Sequence, residues 1–243
     1  MKRTRRFLAA LLALMLVLSG CGAPSPAKTE TTPNVTDVQA TEPPATEPPA
    51  TEPEERPASL GRFEGRTYIN EYLGFCVEFD EAWTFKTAEE LQQIPENIAE
   101  ILKDTELGET TASLTQIMDM QAENVDQLRS VNILYQALSM PDRLMYLTMS
   151  DEELMDLMLE ESDMLVESYT QIGLEVESLD KVQVTFCGET RYAMKCVCDM
   201  SGMKYYTLQI FDYNLGRYGA VTTFSCFYED ITADLAAMCR SIA

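Results

Sequence analysis

Histidine is absent from this 243-residue chain. Without it there is no imidazole base near neutral pH, and the commonest metal ligand is missing. Ser-His-Asp and Cys-His nucleophile sites are excluded for the same reason. The sequence also lacks a Gly-rich phosphate loop and an Asp-x-Asp-x-Asp-Gly calcium loop. Positive charge is scarce: 18 Lys and Arg stand against 40 Asp and Glu, a net charge of −22 at pH 7. A field of that sign repels phosphate backbones. Because nucleic-acid binding rests on Lys and Arg displacing counterions, nucleic acid is excluded as a partner. No apolar run reaches the ~17–25 residues that cross a bilayer as a helix.

What is present starts with an ordered N-terminal series. "MKRTRR" is basic, "FLAALLALMLVL" (Phe7 to Leu18) is apolar, and small residues lead to Cys21. A run this short flanked by basic residues marks residues 1–20 as a signal peptide rather than a membrane span. The tetrapeptide Leu18-Ser19-Gly20-Cys21 resembles the lipobox of bacterial lipoproteins. That resemblance implies that the Cys21 thiol receives a diacylglyceryl group and that the bond before it is cleaved. The chain is then held on the outer, extracytoplasmic face of the cell membrane. Two acyl chains make a stable anchor, where one gives only marginal binding.

Residues 21–59 form a low-complexity tether. "ATEPPATEPPATEPEE" repeats Thr-Glu-Pro-Pro-Ala with no aromatic residue to seed a core. Such proline density favours extended polyproline II at ~3.1 Å per residue, a disordered stalk reaching roughly 100 Å. Its glutamates keep it solvated, and a spacer is its expected role.

Residues 60–243 suffice for one globular domain, which at this size buries roughly 70% of its unfolded surface. "RTYINEYLGFCVEFDEAWTF" alternates apolar and polar residues around Leu73-Gly74, predicting a β-hairpin with Phe75, Val77 and Phe79 on one face and Trp83 as a core anchor. Thr87-Ala-Glu-Glu90 is a capping box, and Pro95 is positioned to open a second helical piece through Lys103. "ASLTQIMDM" and "RSVNILYQAL" follow as two strands. Ser150-Asp-Glu-Glu153 caps a helix expected to run to Ile172, where Gly173 stops it. Its apolar arc holds Leu154, Leu157, Met158, Leu165 and Tyr169, with an acidic face opposite. Four meandering strands are expected near 175–187, 190–199, 203–211 and 217–227, with a Ser201-Gly202 turn placing Asp199 opposite Lys204. A closing helix is expected over 230–242. Apolar residues on both faces of these strands predict a sheet covered on both sides.

These features define an expected α/β (α+β) fold: a mainly antiparallel sheet with helices on both faces. "INEYLGFCVEFDEAW", the four late strands and "YGAVTTFSCFYEDITADLAAMCRSI" resemble PsbP-like domains. The resemblance implies an α/β/α sandwich and a binding or assembly role. The ion-handling residues of that family's plant member have no counterparts that can be matched position by position, so none is assigned.

Three groups could carry chemistry. Met194, Cys196 and Cys198 share one strand face, and soft sulfur ligands select Cu(I); a sulfur-rich core face is the favoured reading, because their neighbours on that face are Tyr192, Tyr205 and Phe211. With Cys21 assigned to lipid, six cysteines remain: Cys76, Cys187, Cys196, Cys198, Cys226 and Cys239. An even number permits disulfides, whereas their scatter through apolar strands suits thiols. Glu161 falls inside the apolar arc of the 151–172 helix, so it should have a raised pKa or a basic partner such as Arg143 or Arg191. It is a candidate ligand-cleft acid. Met140, Met145, Met149, Met155, Met158 and Met164 form a Met-rich stretch suited to core filling or to an adaptable binding surface.

The expected function is a non-enzymatic binding or assembly module at the cell envelope, with no cofactor. Its expected partners are the membrane, through the lipid, and an envelope protein or small ligand. A carboxylate-based hydrolase and a soft-metal or redox protein are the rivals.

Overall fold

The computed structural model of the protein describes residues 60–102, 115–171 and 173–242. The signal peptide, Cys21, the tether and Lys103 lie outside the described residues. The described residues begin with three short strands, β1 (Arg62–Glu64), β2 (Thr67–Asn70) and β3 (Phe75–Glu78). The hairpin expected around Leu73-Gly74 is formed by β2 and β3, with Asn70 opposite Phe75 and Gly74 in the left-handed region at φ 74°. Alternation puts Phe75, Val77 and Phe79 inside, with Trp83 beside Phe79.

Strand β4 (Thr84–Phe85) leads into helix α1 (Ala88–Leu102), opened by the Thr87–Glu90 capping box. Strands β5 (Gln116–Asn124) and β6 (Arg129–Ala137) then pair antiparallel. Three helices follow: α2 (Met140–Tyr146), α3 (Asp151–Glu160) and α4 (Asp163–Gln171). The second capping box is complete, since Ser150 Oγ accepts from the Glu153 amide and the Glu153 side chain accepts from the Ser150 amide. The meander of β7 (Glu175–Phe186), β8 (Glu189–Met200), β9 (Met203–Asp212) and β10 (Tyr218–Phe227) matches the expected strands closely. At its Ser201-Gly202 turn both residues have positive φ, and Asp199 sits opposite Lys204 with a 3.2 Å ion pair. Helix α5 (Thr232–Ala237) and strand β11 (Cys239–Ser241) complete the chain.

Two sheets result. One has seven strands in the order β4-β5-β6-β10-β9-β8-β7, and the other has four in the order β1-β2-β3-β11. Every pairing among the described strands is antiparallel. The seven-stranded sheet is buried on both faces. Leu134, Met194, Cys198, Phe211 and Val221 meet the helices on one side, against Ile94, Met158, Leu165 and Tyr169. On the other side Ile133, Leu208, Ile210 and Phe224 meet the small sheet and α5, against Tyr68, Phe75, Val77 and Leu235.

This arrangement corrects the expected fold class. The described residues hold far more strand than helix, eleven strands and five short helices, and helices do not cover both faces. The expected α/β/α sandwich gives way to a mostly β architecture in which a second sheet takes one outer layer. Strand β11 is part of the reason. The apolar spacing of the C-terminal stretch suits a helix to residue 242, but α5 ends at Ala237 and Cys239 pairs with Val77 at the free edge of β3. Edge pairing satisfies backbone groups of β3 that a helix would leave bare.

Two helices also depart from expectation. Pro95 lies inside one continuous α1 rather than opening a second piece. The 151–172 helix is broken into α3 and α4. Glu161 is the C-cap, at φ −102° and ψ 10°, and the Ser162 carbonyl starts the next turn by accepting from Val166.

Candidate functional site

Strand β5 carries the feature from which a site is built. Its register with β6 slips between Met118 and Met120, a bulge whose extra residue is Asp119. The slip sends Met118 to the helix-side core and Met120 to the small-sheet core, where strict alternation would put both on one face. Asp119 is thereby turned toward Gly61 and the small sheet. The Gly61 amide donates to both carboxylate oxygens, at 3.0 and 3.1 Å. Tyr68 donates its hydroxyl to Oδ2 at 2.5 Å, and the Asn70 amide donates to the same oxygen at 2.8 Å. Asn70, fully buried, also donates to the hydroxyls of Tyr68 and Tyr135, each at 2.8 Å.

Glycine is required at position 61 because a Cβ there would stand 2.1 Å from the Tyr68 hydroxyl. Among the described residues the three donors to Asp119 are all neutral. Burial pushes the Asp119 carboxyl above its ordinary value, and the bonds from Tyr68, Gly61 and Asn70 pull it part of the way back. The same burial, with the Asp119 charge close by, drives Tyr68 and Tyr135 well above the usual phenol range.

Asp119 lies on the wall of a cleft of about 700 Å³, within the usual size of small-molecule sites. It is lined by Ala88, Leu91, Gln92, Pro95 and Glu96 of α1, by the start of β5, and by Leu60, Gly61, Ala137, Arg217 and Tyr218. Pro95 has no amide hydrogen, so the Leu91 carbonyl lacks its helical donor. Leu91 and Pro95 both line the cleft.

The residues singled out in the sequence lie elsewhere. Glu161 is half-buried at the α3–α4 junction and is not on the cleft wall. Its Oε2 is buried without a hydrogen-bond partner, and burial, reinforced by Glu160, raises its pKa. Neither expected arginine pairs with it. Arg191 bridges Asp151 and Asp212, the latter at 3.1 Å, while Arg143 Nε is itself buried and unpartnered. Met194, Cys196 and Cys198 all lie in the helix-side core, with Cys196 and Cys198 sulfurs 3.5 Å apart. Among the described residues no group of three or more His, Cys, Asp or Glu is placed to hold a metal. The six described cysteines are thiols.

The Met-rich stretch divides by position. Met155 and Met158 are core, Met145 and Met149 are partly buried, and Met140 is exposed. Met164's side chain lies outside what is described.

Sequence reading missed Asp119. A usable signal was present in "QIMDM", where an acid interrupts an apolar strand between two methionines that alternation would put on one face. Pro95 within a capped helical pattern was a second.

No family model matches the chain, and no curated protein matches it in sequence.

Proposed function

We propose that the protein is a membrane-anchored extracytoplasmic lipoprotein whose folded part is a binding module at the cell envelope, taking a small ligand in the cleft between α1 and β5. One observation carries this reading: a cleft of about 700 Å³ with a carboxylate, Asp119, fixed on its wall by neutral donors. Apolar side chains with a few placed polar groups are what small-molecule sites consist of.

The hydrolase reading would pair Asp119 with Glu96, the other carboxylate on the cleft wall. Asp119 is poorly suited to that work. Its Oδ2 accepts three hydrogen bonds, so it is committed to holding Gly61, Tyr68 and Asn70 rather than to passing a proton. Binding is the function that leaves those bonds in place.

Methyl-detected NMR of the full-length protein in detergent, titrated with a mixture of small organic fragments, tests the reading. Shifts are expected at Leu91, Ile117 and Met118, with Val131 and Leu208 in the far core unmoved. A mixture that moves no cleft methyl at millimolar concentration overturns it.

A further inference from the structure

We propose that β8 carries a site for one Cu(I) ion, held by the thiolates of Cys196 and Cys198 with the Met200 thioether as third ligand. The site goes beyond the small-molecule cleft and is independent of it, because β6, β10 and β9 lie between β5 and β8 in the sheet.

The placement of the two thiols is the first support. Residues two apart on one strand face stand about 7 Å apart along the backbone. The Cys196 and Cys198 sulfurs are nevertheless 3.5 Å apart, so the two side chains lean toward each other. Neither is tied up in a disulfide. Two metal–thiolate bonds of about 2.3 Å, the zinc value, span that gap at an angle of roughly 100° and leave the far side of the ion open to a third ligand.

The same strand face supplies the thioethers. Met194, Cys196, Cys198 and Met200 alternate along β8, and all four side chains belong to the helix-side core. Both cysteines are fully buried, whereas Met200 is half-buried and stands opposite the half-buried Met203 at the end of the β8–β9 hairpin. Sulfur therefore runs from the hairpin end to the thiol pair, and an ion moves inward by exchanging one sulfur ligand for the next.

The donor set chooses the metal. Thiolate with thioether is the combination that selects Cu(I). A structural zinc site asks for four thiolate, imidazole or carboxylate ligands. The chain has no histidine, and among the described residues no third cysteine or carboxylate joins the pair to form such a site.

Binding releases both thiol protons to solvent, so two thiolates and one Cu(I) leave a single net negative charge. Thr207 is placed to meet it. It lies directly opposite Cys196 on β9 and is buried with its hydroxyl unpartnered. Apolar packing offers that donor nothing, whereas a bound thiolate accepts from it.

The test titrates reduced full-length protein in detergent, without oxygen, against the Cu(I)–bicinchoninate complex and reads copper transfer from the loss of its colour. Wild-type protein is expected to take one equivalent, and Cys196→Ser/Cys198→Ser to lose that equivalent while Cys76→Ala keeps it. Met200→Leu is expected to bind at least tenfold more weakly. Methionine-methyl NMR of the wild-type protein is expected to show the Met200 signal shifting with the first equivalent, with Met120 on the other sheet face unmoved. That spectrum decides the location even if the double variant fails to fold. No transfer of copper, or transfer that leaves Met200 unmoved, overturns the site. Equal affinity in a folded double variant overturns it too, and wild-type affinity in Met200→Leu strikes the thioether from the ligand set.

Discussion

Glu161 and Asp119 show what burial does to single carboxylates in this fold. Both have pKa values raised chiefly by burial, Asp119 against three opposing hydrogen bonds and Glu161 with Glu160 adding repulsion. The consequence for Glu161 has a definite sign. A carboxyl that titrates higher in the folded than in the unfolded chain binds more protons when folded, so folding gains stability as pH falls toward the unfolded value. At neutral pH the charged group is a burden. Glu161→Gln is therefore expected to raise the melting temperature at pH 7 by about 1–2 °C, the modest size reflecting partial solvent screening. The difference should shrink as pH falls to about 3, where the wild-type carboxyl is largely protonated in either state. Thermal melts across that range check it, and a variant that melts lower than wild type at pH 7 contradicts the account. The sequence flagged Glu161 by placing it on an apolar arc, yet no such arc exists once the helix breaks at this residue. Asp119 went unflagged because its role depends on a bulge, and the register of β5 is fixed by β6 rather than by the residues beside it.

At the scale of elements, the legible parts were those whose signals are local. Both capping boxes, the Ser201-Gly202 turn, the first hairpin and the four-strand meander follow from residues within a few positions of one another. What escaped was pairing at long range. The last residues carry a helical pattern but end as a strand, because β3 offers Val77 an edge partner in Cys239. The attachment of α3 to the sheet is similarly nonlocal. Arg191 on β8 reaches Asp151 in the first turn of α3 and Asp212 at the end of β9, joining three elements through one guanidinium. Burial raises the Asp212 carboxyl while Arg191 holds it down, so removing the arginine leaves a buried charge uncompensated. Arg191→Met is expected to destabilise the protein by about 3–5 kcal/mol. Adding Asp212→Asn to it should recover part of that loss, since the orphaned charge goes with the carboxylate. Denaturant unfolding of the single and double variants measures the difference. A double variant no more stable than Arg191→Met would assign the loss to packing of the arginine stem instead.

Across the whole molecule, address and fold are separable. Among the described residues the seven-stranded sheet carries a hydrophobic core on each face. The expectation that both faces would be covered came from apolar residues on both sides of the late strands. The identity of the second cover was hidden because β1, β2 and β3 are separated from β11 by more than 150 residues of sequence. The proposed anchoring depends instead on Cys21 and the proline-rich tether, which hold a strongly acidic domain near a membrane whose anionic lipids repel it. No electrostatic attraction would then substitute for the acyl chains. Cys21→Ala is accordingly expected to move most of the protein from the membrane fraction to the medium, with its melting temperature unchanged. Cys76→Ala, which removes a half-buried thiol far from the lipobox, should leave the membrane fraction intact. Fractionation of cells expressing each variant reads both outcomes. Retention of Cys21→Ala in the membrane would show that something other than lipid holds the chain there, whereas release of both variants would attribute the loss to damaged folding rather than to the anchor.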